Sequence, residues 1–179
     1  MSHSSLAGRP SMRKDADKLK KACAALGLDD VESAELAAIG SYERFRTGDT
    51  IMREGESSDT MYLFLEGTVD VTKELTLKIA GRGFGHAEKS MTRLSAGIVP
   101  VFGEMSLFGD EPRSATVNAV NDCVLFALTR HAYEGLCESN SRLALSLTKK
   151  IAAMLSARVR KGNEDVLKLT TALSIALSR

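Results

Sequence analysis

The sequence predicts an α+β protein, with helices at both ends and a small antiparallel β unit between them. Three observations carry this. Lys14–Leu26 and Val31–Ile39 have helical spacing and stop at Gly27 and Gly40. From Tyr42 to Leu128 the texture changes to short runs of β-formers broken by glycine-containing turns, the pattern of a sandwich or barrel. Beyond Leu128 the apolar spacing is helical to the end.

Taken in order, Met1–Ser11 is rich in small and polar residues and is expected to be a disordered tail. In the second helix Leu36 and Ile39 are expected to face inward. Gly48-Asp49 reads as a turn, Thr50–Arg53 as a strand, and Glu54–Asp59 as a polar loop. Met61–Leu65 and Thr68–Thr72 form a hairpin around Glu66-Gly67, with Val69 and Val71 inward. Further short strands are expected at Leu75–Ile79, Met91–Leu94, Ala115–Ala119 and Val124–Leu128. The glycines of Gly81–Ser90 lack the Lys-Ser/Thr ending of a phosphate loop, so this stretch reads as a mobile hairpin tip. Arg130–Glu138 is a short helix, and Asn140 or Ser141 can cap the next one. There Leu143, Leu147, Ile151, Met154/Leu155 and Arg158/Val159 share one face. Gly162-Asn163 either breaks that helix or is carried through it; Val166, Leu169, Leu173 and Leu177 continue the stripe.

The 179 residues are 44% hydrophobic and 26% charged, enough to bury a core without staples. A net charge of +1 gives no broad footprint for nucleic acid or anionic membrane. Cys23, Cys123 and Cys137 are scattered and odd in number, which fits small core residues in a reducing cytoplasm better than a disulfide framework. No signal peptide and no membrane span are expected, so the reading is a cytoplasmic protein. His3, His86 and His131 do not cluster with carboxylates, which weighs against a barrel-type metalloenzyme. No nucleophile has a base near a motif, so no enzyme activity is expected.

One segment concentrates the chemistry: Phe102-Gly103-Glu104-Met105-Ser106-Leu107-Phe108-Gly109-Asp110-Glu111-Pro112-Arg113-Ser114-Ala115-Thr116-Val117. Gly103 allows a close backbone approach. Glu104–Phe108 can make one helical turn with free N–H groups. Arg113 is expected to start a β-run, with small Ser114 and Ala115 beside it. A guanidinium and free N–H groups suit a phosphate, and a carboxylate suits sugar hydroxyls. The residues alone read more readily as a surface loop in which Glu104 and Arg113 pair with each other.

This segment resembles the phosphate-binding cassette of the cyclic-nucleotide-binding domain family, matching its Phe-Gly-Glu … Pro-Arg-x-Ala-Thr-Val pattern without a gap. Gly48-Asp49-Thr50-Ile51, Glu54-Gly55-Glu56, Met61-Tyr62-Leu63, Glu66-Gly67-Thr68-Val69-Asp70-Val71 and Leu94-Ser95-Ala96-Gly97 resemble other parts of the family. Two departures stand out. The Leu75–Met91 hairpin is longer than the family pattern, and Ile98–Val101 set Gly97 farther from the cassette. The resemblance implies an antiparallel β-roll, jelly-roll-like, of about eight short strands. It divides the chain into a tail 1–13, N-terminal helices 14–40, the roll 41–129, and lid and dimer helices 130–179.

The resemblance also implies the site. Phe102, Gly103, Glu104, Met105, Ser106, Arg113, Ser114 and Ala115 would bind cAMP or cGMP, with no other cofactor and no metal. Arg113 would hold the cyclic phosphate and Glu104 the ribose 2′-hydroxyl; backbone N–H groups near Gly103, Met105 and Ala115 would line the pocket. Ser114 does not decide between the two nucleotides, and cAMP is favoured. Arg158 and Val159 fall where the family's lid helix contacts the base, although Arg158 also reads as a solvated arginine. The stripe from Leu143 to Leu177 either packs on a second copy, giving a homodimer, or folds back on the roll. Direct DNA binding is not expected, because Gly162–Arg179 is too short and too weakly basic for such a module. The expected function is a cyclic-nucleotide sensor acting on an unidentified effector. The alternatives are a ligand-free interaction module of the same fold, or the regulatory part of a larger transcription regulator or transporter.

Overall fold

The computed structural model describes residues 10–79, 83–96 and 101–178. Two helices, α1 (Pro10–Ala25) and α2 (Asp30–Ile39), precede the β region. Its strands are β1 (Ser41–Phe45), β2 (Thr50–Met52), β3 (Thr60–Glu66), β4 (Thr68–Ile79), β5 (Gly83–Ser95), β6 (Val101–Phe102), β7 (Thr116–Ala119) and β8 (Cys123–Thr129). A single turn, α3 (Met105–Phe108), lies between β6 and β7; α4 (Arg130–Ser139) and α5 (Ser141–Leu177) follow.

The strands form two antiparallel four-stranded sheets, ordered β1-β8-β3-β6 and β2-β7-β4-β5. The first sheet is covered on both faces, which explains why its central strands read as unbroken apolar runs. In β3, Met61, Leu63 and Leu65 join the core beneath the helices with Leu19, Leu36, Leu143, Leu147 and Ile151. Tyr62 and Phe64, on the alternate face, pack between the sheets with Val69, Phe102, Val117 and Leu125. The molecule therefore has three layers, with the sheet carrying β6 in the middle.

Local chemistry sets the helix ends. Asp29 caps α2 in a reciprocal box: its Oδ1 accepts from the Glu32 N–H at 2.8 Å, and Glu32 Oε2 accepts from the Asp29 N–H at 2.9 Å. Asn140 Oδ1 accepts from the Leu143 N–H at 3.1 Å at the start of α5. Buried Asp15 on α1 pairs with Arg44 on β1, tying the N-terminal helix to the sheet.

Several expectations are corrected. Helix α1 begins at Pro10, inside the expected tail 1–13; proline suits a first turn because its missing N–H has no intrahelical partner there. Residues 1–9 lie outside the described residues. Strands β1 and β6 had no strand expectation, because β6 is only a pair of residues and β1 mixes Glu43 and Arg44 with aromatics. The expected strands at Thr68–Thr72 and Leu75–Ile79 are one continuous strand. Gly83–Ser90, read as a hairpin tip, has strand backbone paired in register with 72–79; residues 80–82 lie outside the described residues. Arg113 and Ala115 precede β7 rather than starting it. Helix α5 runs unbroken through Gly162-Asn163 for 37 residues, about 55 Å.

Candidate nucleotide-binding site

The site forms where β6, α3 and the segment before β7 meet the loop between β2 and β3. Its centre is Arg113, whose side chain is only 6% exposed. Nη1 donates to Ser106 Oγ at 2.9 Å and to the Gly103 carbonyl at 3.3 Å. Nη2 donates to Ser58 Oγ at 2.7 Å and to the Thr60 carbonyl at 2.6 Å. All four acceptors are neutral, and no ion pair to Arg113 occurs among the described residues. Burial pushes its pKa below the ordinary arginine range, opposed by the more distant Tyr62, Asp59 and Glu104. The guanidinium nonetheless stays charged at neutral pH. A buried cation whose hydrogen-bond acceptors are all neutral can pair favourably with an anion.

Gly103 makes this placement possible. Its φ is +72°, in the left-handed region, and a Cβ there would lie 2.7 Å from Arg113 Nη1. The close backbone approach expected from the sequence is thus to Arg113 itself.

Glu104 and Ser106 are buried beside it, each 4% exposed. Glu104 does not pair with Arg113. Its Oε1 accepts from Arg158 Nη1 at 2.6 Å, and Arg158 Nη2 donates to the Val101 carbonyl at 2.6 Å. The other candidates are distributed as follows. Phe102 is a core residue, stacked on Tyr62 with ring centroids 5.4 Å apart. Met105 and Ser114 are exposed and Ala115 is half-buried. Val159 faces solvent, 61% exposed. Arg158 is therefore neither a freely solvated arginine nor a detached cap; it is fixed to the cassette carboxylate.

Two groups were missed by sequence reasoning. Ser58, in the loop after β2, and Thr60, at the start of β3, hold Arg113 from a stretch distant in sequence, and nothing in that polar stretch signals the role. Arg130 read only as a helix start, yet its Nε and Nη2 both donate to the Ser106 carbonyl, at 3.0 and 2.8 Å. The described residues contain no group of three His, Cys, Asp or Glu side chains suited to a metal. None of their helices is long and apolar enough to cross a membrane.

The fold thus sets a buried carboxylate, Glu104, at the start of α3 and a buried arginine, Arg113, in the segment before β7, around one small site. Residues 42–140 match the family model described as the cyclic nucleotide-binding domain, and the chain belongs to that family, whose domains are regulatory. Among relatives, it is 32% identical to a cAMP-dependent protein kinase regulatory subunit of Debaryomyces hansenii over 120 residues, 67% of this chain and 24% of that protein. A cyclic nucleotide-binding domain from Methylobacillus flagellatus superimposes with a TM-score of 0.71 at 22% identity, covering 93% of this chain and 96% of that one. The catabolite activator protein of Thermus thermophilus gives a TM-score of 0.64 at 26% identity, covering 80% and 61%. The chain spans about a quarter of the kinase subunit it matches.

Proposed function

We propose that this domain is a cyclic-nucleotide receptor that prefers cAMP and relays occupancy through α5. One observation carries the reading: Arg113 is buried, charged and held only by neutral oxygens. A cyclic phosphate would pair with that charge while leaving part of the hydrogen-bonded frame in place. Glu104 lies in the same cassette, and its carboxylate suits the ribose 2′-hydroxyl. Gly103, Met105, Ser114 and Ala115 would offer backbone N–H groups; Phe102 would support the site from the core. The preference for cAMP draws on the kinase regulatory subunit named above.

The proposed output is mechanical. Arg158 joins the cassette to α5, so a ligand that recruits Glu104 changes the partner of that helix. A ligand shifts an equilibrium only through its different affinity for two states, and the two partners of Glu104 supply that difference. Beyond Leu155, the residues Val159, Val166, Leu169 and Leu173 are exposed at coiled-coil spacing, with β-branched residues a heptad apart. This half of α5 would pack on a second copy, while the first turns pack on the chain's own roll through Leu143, Leu147 and Ile151. The effector is a further protein, the setting is cytoplasmic, and catalysis is not part of the role.

Calorimetry tests the reading, using ligand-stripped protein titrated with cAMP and cGMP beside Arg113→Ala. Micromolar binding of cAMP, weaker binding of cGMP, and a loss of roughly thirtyfold to a few thousandfold in the variant are expected. A folded wild-type sample that takes up neither nucleotide defeats the reading and favours a ligand-free interaction module.

A further inference from the structure

We infer that the basic face of α5 is a docking surface for an acidic amphipathic helix of a partner protein. It deepens the reading above, by giving the chemistry of the effector, and uses a face separate from the stripe that would pack on a second copy.

Helix α5 carries seven arginines and lysines against two carboxylates, Glu164 and Asp165, although the whole chain has a net charge of only +1. At 3.6 residues per turn, about 100° per residue, six of these cations fall into two rows. Arg142, Lys149 and Arg160 lie within about 20° of one line, and Leu167 extends it. Lys150, Lys161 and Lys168 follow a second line beside the first, and Ile175 extends that one. All of these residues are exposed. Asp165 lies 3.3 Å from Lys161 and 3.9 Å from Lys168, while Arg142, Lys149, Lys150 and Arg160 have no ion pair among the described residues. Between the rows stand Ala153, Ala157 and Thr171, whose short side chains let another helix come close.

Leu167 and Ile175 decide what kind of partner fits. They are 68% and 57% exposed, and both stand more than about 100° around the helix from the middle of the seam formed by Val159, Val166, Leu169 and Leu173. A second copy on that seam leaves them bare. A nucleic-acid duplex would engage the cations through its phosphates and offer nothing to either side chain. A lipid surface takes a continuous apolar face, whereas these two are separated by a turn carrying Thr171. A helix with glutamates flanking a short apolar stripe matches both features, its charges meeting the two rows and its apolar residues meeting Leu167 and Ile175.

The test titrates the full chain with a helical peptide bearing leucines at heptad positions a and d and glutamates at e and g, and with the same peptide carrying lysines for the glutamates. Vesicles of equal parts phosphatidylcholine and phosphatidylserine, and a DNA duplex, are titrated alongside. Binding of the glutamate peptide alone, weakened by salt, is expected. The triple variant Lys149→Glu, Arg160→Glu, Lys168→Glu should lose at least about tenfold in affinity for it and gain binding of the lysine peptide. The double variant Leu167→Ser, Ile175→Ser should lose about tenfold with its salt dependence unchanged. These positions are exposed, so thermal melting and cAMP calorimetry of both variants should match wild type. No binding of the glutamate peptide, equal binding of both peptides, or tighter binding of vesicles or duplex that the triple variant abolishes overturns the inference. A chain that takes up cAMP but not the peptide loses this inference and keeps the receptor reading; one that takes up the peptide but neither nucleotide does the reverse.

Discussion

Glu104 and Arg158 are 54 residues apart in sequence, yet Arg158 Nη1 lies 2.6 Å from Glu104 Oε1. The carboxylate is buried on the cassette, and the arginine sits midway along a 37-residue helix that extends well beyond the roll. A buried carboxylate requires a partner, and here that partner belongs to the element proposed to carry the output.

Arg158→Ala separates binding from relay. The pair is only partly buried, since the arginine side chain is 37% exposed, so the loss in stability is about 1–2 kcal/mol, below the cost of a fully buried pair. Nucleotide affinity stays within about tenfold of wild type, because the main countercharge at Arg113 is intact. Hydrogen exchange along residues 159–177 ceases to respond to ligand. A wild-type response in that segment would show that the coupling runs elsewhere.

Gly103→Ala strikes at Arg113 without touching its side chain. A left-handed φ costs a non-glycine residue about 1–2 kcal/mol, and the added methyl would crowd Arg113 Nη1. Thermal melting should register the strain, and calorimetry should register an affinity loss of at least about tenfold. Unchanged binding would mean that the position of Arg113 tolerates displacement.

The distal half of α5 is expected to hold two copies together. Sedimentation should find a dimer for the wild-type chain and a monomer for the double variant Val166→Glu, Leu173→Glu, whose charges would face each other across the seam. A monomeric wild-type chain would leave the stripe for another partner.

Thiol chemistry and alkaline stability follow from burial. Cys23 and Cys123 are buried, and desolvation raises both thiol pKa values, while Cys137 is exposed. In native protein iodoacetamide should label Cys137 quickly and the other two only on unfolding. Desolvation also raises the phenols of Tyr42, Tyr62 and Tyr133. Groups whose folded pKa lies above the unfolded value bind more protons when folded, so their contribution is complete below the unfolded pKa and lost as pH rises. The urea midpoint should therefore fall above about pH 8.5, where unfolded thiols ionise, and further near pH 10, where unfolded phenols do. A midpoint that rises across this range contradicts the assignment.

Much of the architecture was legible because it depends on neighbours in sequence. Helix stops at Gly27 and Gly40, the turn at Gly67 and the run of β-formers in β3 are local effects of backbone freedom and side-chain chemistry. The cassette was legible for the same reason, since its glycine, carboxylate and arginine lie within one short segment. The hairpin of β4 and β5 was expected, but its tip was read as too long, because glycines signal a turn locally whereas pairing with 72–79 holds 83–90 extended. Gly162 read as a potential break, yet α5 carries it.

The sequence by itself determined that Glu104 and Arg113 belong to one polar segment and that an apolar stripe runs to the C-terminus. Only the tertiary structure decided their partners. Arg113 is held by Ser58, Thr60, Gly103 and Ser106 rather than by Glu104; Glu104 is held by Arg158; and Arg130 secures the turn between them. The stripe is likewise divided by tertiary packing, its first turns against the roll and its last toward solvent. The physical reason is that periodicity and turn chemistry are properties of adjacent residues. The partner of a buried charge is set by which distant segments the three-layer packing brings within hydrogen-bonding distance.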